Sequence, residues 1–318
     1  MKPLSPAQLH RAAGVLLGVA VGDALGAGYE FTYPRADQPI AMIGGGLGNF
    51  APGEWTDDTA MTVAIAEVTA AGADLTNRPG LDAVAANFIR WYDSQPADIG
   101  IQTRSVLSAR DTSALAMQAT ARRLPGRTGG NGSFMRTAPV ALAYLHAPDA
   151  RAKAAESVSS LTHPDPQAGE ACRIWCDLIA DTVLNGQIDH EWKFLENLDA
   201  PAQAYWQQLK EAAETGRPGD FANNGWVVHA LQTAWWAITH TTAADTRQLG
   251  EGLELAVRAG GDTDTTAAIA GAVLGARWGA SAVPATWRRI LHGWPGLRDH
   301  DLIRLAIQTA QHRSSPVV

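Results

Sequence analysis

The chain has 318 residues, 46% of them hydrophobic, and a formal net charge of -7 at pH 7. It is long enough to bury a large core, and its excess of acid argues against nucleic acid as the main partner. Two cysteines, Cys172 and Cys176, are too few for a disulfide framework or a zinc-ligand set, and we expect buried thiols. The apolar run 12–21 is shorter than the roughly 20 residues that span a bilayer, and no signal-peptide pattern is seen, so we expect a cytoplasmic protein without membrane contact.

The first predicted element is a helix that begins near the N-terminus. Ser5 is a suitable N-cap, and Pro6 suits the first helical position. Four glycines then recur at every fourth residue, and this spacing predicts a smooth face against which another helix packs closely. These glycines are Gly14, Gly18, Gly22 and Gly26.

A long glycine-rich loop is predicted over residues 32–54, directly after Glu30. Loops of this length in a folded domain are usually functional or disordered. Because this loop leads into an acidic segment, we interpret it as a site loop with Glu30 at its root.

The rest of the chain shows apolar residues at helical spacing and almost no hairpin signals. A second glycine-rich loop is predicted over 124–133, and a proline-rich loop over 161–166 opens the helix of Trp175. We therefore expect an all-α fold with a single domain over 1–318. Further helices are predicted over residues 81–92, 105–117, 227–238 and 253–257.

Two acidic segments stand at the start of apolar helices. The first acidic segment is residues 56–58, with the sequence TDD, and the second is residues 262–265, with the sequence DTDT. Asp and Thr at a helix start are ordinary caps, but paired carboxylates repel each other unless a positive charge lies between them. Two such sets without Cys or His favour one oxygen-lined cation site built from distant parts of the chain.

Two other motifs partly match the second acidic segment. A calcium loop of the EF-hand type is excluded, because Ala267 and Val273 stand where glycine and the bidentate glutamate are required. An aspartyl-phosphate phosphohydrolase motif fits Asp262, Asp264 and Thr266 by letters. It requires an apolar strand just before the first aspartate, and residues 256–261 are a poor strand, so this alternative ranks last.

Taken in order, the motifs resemble those of the ADP-ribosylglycohydrolase family, which includes the dinitrogenase-reductase-activating glycohydrolase and the ADP-ribosyl-acceptor hydrolases. The resemblance covers most of the chain. The segments that carry it are 18–26 (GVAVGDALG), 52–59 (PGEWTDDT), 130–136 (GNGSFMR), 162–165 (THPD), 260–265 (GGDTDT) and 271–275 (GAVLG).

The resemblance implies an orthogonal all-α bundle around two divalent cations, Mg²⁺ or Mn²⁺, and cleavage of ADP-ribose from a modified acceptor. It implies that Glu30, Asp58 and Asp264 are catalytic, with Glu30 as a mobile gate, and it leaves open which of these three carboxylates moves the proton. The implied metal ligands are Thr56, Asp57, Asp58, Asp262, Asp264 and Thr265.

The substrate contacts follow from the same resemblance. We expect the diphosphate and ribose to bind the glycine-rich loop and His163, and adenine to stack on Trp226. Asp98 is the candidate partner of an arginine guanidinium on the acceptor, although a turn-forming aspartate is an equal alternative. Protein arginine is the expected acceptor, and serine, a nucleobase or a small metabolite are the alternative acceptors. The alternative function is that of a non-catalytic protein that binds ADP-ribose. The loop residues are Thr128, Gly129, Gly130, Asn131, Gly132 and Ser133.

Overall fold

The computed structural model describes residues 3–312 of the chain. Within these residues the fold is all-α, as predicted, with fourteen α-helices and one two-stranded hairpin. The helices are α1 (Pro6–Gly26), α2 (Asp57–Ala70), α3 (Arg78–Asp93), α4 (Ile101–Leu107), α5 (Ala114–Arg122), α6 (Ala138–Ala143), α7 (Pro148–Ser159), α8 (Pro166–Asn185), α9 (Ala200–Thr215), α10 (Val227–Thr239), α11 (Arg247–Arg258), α12 (Thr263–Trp278), α13 (Ala285–Ile290) and α14 (Asp299–His312); the hairpin pairs β1 (His292–Gly293) with β2 (Leu297–Arg298).

Helices α1 and α12 pack against each other along their backbones. A Cβ atom added at Gly18 would overlap the carbonyl oxygen of Gly271, and one added at Gly14 would overlap that of Gly275. The predicted glycine face is therefore confirmed, and its partner is the helix that follows the second acidic segment. The contact continues to Gly26, which lies against the backbone of Asp264, so it leads directly to the acidic residues.

The two ends of α1 are built differently. At the start, Ser5 accepts a hydrogen bond from the Gln8 amide while the Gln8 side chain accepts one from the Ser5 amide, which confirms the predicted cap. At the other end, Asp23 is fully buried in an otherwise apolar stretch. A buried carboxylate requires hydrogen-bond donors, and these come from the start of α2.

The bounds predicted from apolar spacing are wrong for two helices. The segment 105–117, predicted as one helix, is divided between α4 and α5. The chain turns at Arg110, which has a left-handed φ of 55°. Helix α5 then begins against α3, because the Ala114 amide donates to Asp82 at 2.6 Å. The short helix predicted over 253–257 begins earlier, as α11. The predicted loop over 32–54 is confirmed, since among the described residues it contains no helix and no strand beyond isolated bridges.

The apolar character of α1 extends beyond the run recognised in the sequence. The stretch Pro6–Tyr29 is, by length and composition, apolar enough to cross a membrane, with a mean hydropathy of 1.5 in its most apolar window. Of that window, 94% is buried inside the protein. Such burial is typical of a core helix, and here it follows from the packing of α1 on α12.

Candidate metal centre and substrate cavity

Asp23 connects α1 to the first acidic segment. Its carboxylate accepts hydrogen bonds from the Thr56 amide at 2.9 Å, the Thr59 amide at 2.9 Å and the Thr59 hydroxyl at 2.6 Å. These donors are the free N–H groups that every helix start leaves unpaired. Asp23 thus caps α2 from another helix and fixes where the first acidic segment lies.

The first acidic segment meets the second in the buried interior. The hydroxyl of Thr56 donates to a carboxylate oxygen of Asp58 at 3.0 Å and lies 3.5 Å from one of Asp264. The other oxygen of Asp58 is buried without a hydrogen-bond partner. Since buried carboxylate oxygens are seldom left unpaired, this oxygen marks a position where a cation fits.

The second acidic segment is held by a pair of asparagines. The Asp262 amide donates to the side chain of Asn224 at 3.0 Å, and Asn224 donates to the carbonyl of Gly260 at 2.8 Å. Asn131 donates to the Asp262 carboxylate at 2.7 Å. The segment reaches this position through Gly260 and Gly261, whose φ angles of 76° and 72° are in the left-handed region, where glycine is the usual residue.

Glu30 is attached to the second acidic segment through the residues that follow it. The Phe31 amide donates to the carbonyl of Gly261 at 2.6 Å, and Thr32 forms a single antiparallel bridge with Gly261. The Glu30 side chain is half-buried at the edge of the site. The root of the 32–54 loop is therefore fixed, and it brings a further carboxylate to Asp262.

The carboxylates form two groups that share one residue. Oxygens of Asp23, Asp58 and Asp264 lie within 4.8 Å of one another, and so do oxygens of Glu30, Asp262 and Asp264. Among the described residues, no Lys, Arg or His forms an ion pair with any of these five carboxylates. An oxygen-only donor set without internal compensation fits hard divalent cations.

Burial makes these acids hold their protons tightly in the absence of a cation. Burial, followed by repulsion from neighbouring carboxylates, raises the pKa of Asp57 to about 7 and that of Glu30 to about 8. Burial raises the pKa of Asp23 to about 6, against the hydrogen bonds from Thr59 and Thr56. Burial, and then repulsion from neighbouring carboxylates, raises the pKa values of Asp58 and Asp264 well above their ordinary range. A bound cation reverses these shifts by favouring the charged carboxylates.

A cavity of about 420 Å³ opens directly onto the carboxylates. Asp57 and Asp262, one from each acidic segment, both line it, together with Glu30 and Asp264. Asp98 lies half-buried on its wall, where its own carboxylate accepts the Ile99 amide at 2.7 Å. The cavity thus has an acidic floor and an acidic side wall.

A second cavity of about 490 Å³ adjoins the first. The two share Gln102, Gly130 and Gly225 in their linings, so together they form one elongated cleft. The second cavity carries Trp226 and Arg127. The cleft therefore has one end rich in carboxylates and one end that carries an aromatic ring.

Comparison with known proteins identifies the fold and the chemistry that goes with it. The family model of the ADP-ribosylglycohydrolases matches residues 4–316. The chain belongs to the ADP-ribosylglycohydrolase family. It is therefore a glycohydrolase, which confirms the resemblance inferred from the motifs.

This glycohydrolase is similar to proteins of several bacteria. It is 31% identical to ADP-ribosylarginine hydrolase Tri1 of Pseudomonas putida (strain GB-1) over 89% of this chain and 75% of that one. It is 29% identical to ADP-ribosyl-[dinitrogen reductase] glycohydrolase of Rhodospirillum rubrum over 89% and 90% of the two chains. A solved structure described as an ADP-ribosylglycohydrolase-related protein complex superposes with a TM-score of 0.77 at 29% identity, covering 97% of this chain and 99% of that one.

The predicted substrate loop of this glycohydrolase divides between the cleft and the interior. Gly129, Gly130, Asn131 and Gly132 lie on the cleft. Thr128 and Ser133 lie outside both linings: the Thr128 carbonyl accepts Gln102 at 3.0 Å, and the Ser133 hydroxyl accepts Ser159 at 2.8 Å. These two residues hold the two ends of the loop through hydrogen bonds to the surrounding protein.

The remaining predicted contacts lie at separate points of the cleft. His163 is buried, with its ring edge against Gly130 and Gly132. Trp226 is half-buried in the second cavity, and its backbone bridges to Gly130. Thr56 and Asp58 lie beneath the cavity floor, whereas Thr265 lies on it.

Several residues that build the site were not singled out from the sequence. Asp23 and Asn224 position the two acidic segments, and Gln102 joins the walls of the cleft by donating to the carbonyls of Thr128 and Thr162 at 3.0 and 2.8 Å. Asp23 did give a signal, because it is an acid that interrupts an apolar helix. Asn224 and Gln102 gave none, since their roles depend on which backbone groups the fold brings to them.

Proposed function

We propose that this glycohydrolase is a divalent-metal-dependent enzyme that releases ADP-ribose from arginine side chains of modified proteins. The observation that carries the proposal is the meeting of the two acidic segments at the end of a cleft suited to a nucleotide sugar. No Lys, Arg or His of residues 3–312 forms an ion pair with these acids. The names of the two bacterial relatives, which specify arginine and a modified protein, support the acceptor.

The residues that would hold the metal are the predicted set, with Asp23 behind them. Divalent cations, when bound, would coordinate the hydroxyl oxygens of a sugar diol and lower the pKa of a nearby water. The orphaned oxygen of Asp58 and the sharing of Asp264 between two carboxylate groups support a two-cation centre. The ligands in this proposal are Thr56, Asp57, Asp58, Asp262, Asp264 and Thr265.

Glu30 is assigned to proton transfer in the reaction. It lines the cavity from a loop root, half-buried, and can therefore reach substrate more freely than the buried Asp58 and Asp264. Cleavage of a glycosidic bond by water requires a carboxylate to accept the proton of the attacking water. Asp58 and Asp264, deeper in the site, complete the proposed catalytic set by holding charge against the developing positive charge on the sugar.

The cleft supplies the remaining contacts in a defined order. The distal ribose lies on the acidic floor, the diphosphate lies along Gly130–Gly132 and His163, and adenine lies in the second cavity against Trp226. Asp98, on the acidic wall, faces the space beside the distal ribose, where a guanidinium leaving group would sit. A carboxylate binds a guanidinium through paired hydrogen bonds, which favours arginine over serine as acceptor.

The test uses proteins that carry ADP-ribose on arginine or on serine, incubated with enzyme plus Mg²⁺ or Mn²⁺, with and without chelator. We expect release of ADP-ribose from arginine only when metal is present. Binding of ADP-ribose without release indicates a non-catalytic relative, and release of inorganic phosphate indicates the phosphohydrolase alternative. The latter already lacks support, because Asp262 follows α11 and two glycines instead of a strand.

A variant of Asp98 tests whether this residue binds the acceptor and not the ADP-ribose part of the substrate. We expect Asp98→Asn to reduce kcat/KM on the arginine acceptor by roughly tenfold or more, since a hydrogen bond to a charged group is lost. Affinity for free ADP-ribose, which has no acceptor, should change little. An equal loss in ADP-ribose affinity would contradict the assignment of Asp98 to the acceptor.

A further inference from the structure

Arg136 is a buried cation without a carboxylate partner. It is 0% exposed, and within residues 3–312 no acidic side chain forms an ion pair with it. Its guanidinium lies 4.4 Å from the centre of the Phe88 ring and donates to the sulfur of Met61 at 3.4 Å. Burial lowers its pKa to about 9, which leaves it charged at neutral pH. The charge of Asp57 favours the guanidinium from a distance, but no described carboxylate bonds to it. A buried charge without a bonded counter-ion is costly, so a fold that retains one calls for a specific role.

The strongest hydrogen bond of Arg136 leads to Thr162. A terminal nitrogen of the guanidinium donates to the Thr162 hydroxyl at 2.7 Å, and the same hydroxyl lies 2.7 Å from Nδ1 of His163. Arginine can only donate, so the Thr162 oxygen is an acceptor toward Arg136. Thr162 is 0% exposed, and water therefore cannot provide another partner.

The direction of the second hydrogen bond follows from counting hydrogens. If His163 donated from Nδ1, the Thr162 hydroxyl would accept twice and its own hydrogen would have no acceptor in a fully buried position. If Thr162 donates to Nδ1, its hydroxyl hydrogen and the Nδ1 lone pair both have a partner. Nδ1 is then the acceptor, and the proton of the neutral ring is on Nε2.

Nε2 faces the cleft. A Cβ atom added at Gly132 would lie 3.1 Å from Nε2, and one at Gly130 would lie 3.3 Å from it, so this edge of the ring borders the glycine-rich loop. His163 also lines the 420 Å³ cavity. The backbone around it is fixed, because the His163 amide donates to Ser159 at 2.9 Å and Gln102 donates to the Thr162 carbonyl.

We propose that Arg136 is a positioning residue which, through Thr162, holds His163 as the neutral ring protonated on Nε2, so that this N–H donates to a diphosphate oxygen of the substrate. The identity of the ligand rests on the proposed function; the position of the proton does not. Burial, and then the charge of Arg136, keeps the pKa of His163 well below its usual range. The donor therefore stays the same across neutral pH.

Nitrogen NMR of protein labelled with ¹⁵N-histidine tests the proton position directly. His163 is assigned by comparison with His163→Gln. In the wild-type protein we expect Nε2 to carry the proton and Nδ1 to resonate as an unprotonated, hydrogen-bonded nitrogen. A proton on Nδ1, or a ring protonated on both nitrogens at pH 7, would overturn the proposal without any variant having to fold.

Two variants of Thr162 test the connection. Thr162→Ser keeps the hydroxyl, whereas Thr162→Val keeps the shape and removes it. We expect the serine variant to retain the wild-type spectrum and the valine variant to show both tautomers. In titration calorimetry with ADP-ribose and Mg²⁺, we expect the valine variant to bind about tenfold more weakly, or about 1.4 kcal/mol, and the serine variant to match wild type.

The ligand contact is tested separately from the proton position. On addition of ADP-ribose we expect the Nε2–H signal of His163 to shift, and an unchanged signal in saturated protein would overturn the contact with diphosphate. If the protein released no ADP-ribose from any acceptor, the proposed function would fail. A wild-type spectrum with the proton on Nε2 would still support the roles of Arg136 and Thr162.

Discussion

The hydroxyl of Thr56 lies 3.5 Å from a carboxylate oxygen of Asp264, although 208 residues separate them along the chain. Thr56 stands at the N-cap position of α2, and Asp264 stands in the first turn of α12. Neither helix start forms a site by itself. The contact brings two sets of acidic groups together, and it makes Asp264 the member shared by both carboxylate groups.

Replacing Asp264 by asparagine should abolish turnover. The shape of the side chain is kept, but one charge is lost from both carboxylate groups, so we expect activity to fall by a factor on the order of 10² or more. The thermal stabilisation by Mn²⁺ should also shrink, because ligand binding raises apparent stability by an amount that increases with the logarithm of affinity. Release of ADP-ribose and metal-dependent melting are the measurements.

The matched control is Asp245→Asn, which makes the same change at an exposed acid paired with Arg247. It should leave turnover and the effect of Mn²⁺ unchanged. Full activity in Asp264→Asn, with a folded helical spectrum, would contradict its place in the metal centre.

Glu30→Gln should lower kcat far more than it changes binding. Loss of a group that accepts a proton costs roughly 10²-fold or more in rate, whereas the amide keeps the size of the side chain. We expect ADP-ribose affinity to stay within a few-fold of wild type. Glu54→Gln, at the other end of the same loop and outside the cavity lining, serves as control; equal losses in the two variants would point to the loop and not to the carboxylate.

The metal-free protein should lose stability as pH rises. The pKa values of Asp23, Asp57 and Glu30 are raised in the folded state, to about 6, about 7 and about 8, above the ordinary values of about 4 in an unfolded chain. The folded state therefore binds more protons, so its stability is highest below about pH 4 with respect to these groups and declines up to about pH 8.

Melting temperatures measured with chelator at about pH 5.5 and about pH 8 should show this decline. Addition of Mn²⁺ should restore stability most at the higher pH, because the cation then binds carboxylates that no longer hold protons. A melting temperature that rises between these pH values without metal would contradict the uncompensated acid cluster.

Gly18→Ala should destabilise the protein strongly. The added methyl group would overlap the carbonyl oxygen of Gly271 on α12, and overpacking of a buried contact costs about 1–3 kcal/mol or more. Gly250→Ala is the control, since the same methyl group in α11 would lie 3.9 Å from Trp287 and a helical alanine is favoured by about 0.5–1 kcal/mol. Urea unfolding measures both; equal midpoints would show that the helices tolerate separation.

The sequence predicted the parts of this protein that depend on local pattern. Helical spacing gave α1, α3 and α10, and the repeated acids before α2 and α12 gave the two halves of the site. The break between α4 and α5 was missed because apolar spacing continues across 105–117, whereas the fold turns the chain at Arg110 and fixes Ala114 on Asp82. That turn depends on a contact with α3 and leaves no local signal.

The positions of substrate residues were harder to predict for the same reason. Asn131 and Ser133 are neighbours in one glycine-rich loop, yet Asn131 donates to Asp262 and Ser133 is buried against Ser159. A motif shows that a loop approaches a ligand, but the backbone path decides which side chains face it. Asp23 shows the reverse case, since a single acid in an apolar helix is visible in the sequence and its partners are not.

The contact between α1 and α12 consists largely of backbone atoms, and this affects how the protein responds to substitution. A distance between two main chains does not depend on the rotamers or sizes of neighbouring side chains. Most amino-acid substitutions on the outer surface should therefore leave the distance between the two acidic helix starts unchanged. Substitutions on the surface can therefore change what the outside of the protein contacts while the carboxylates stay in place.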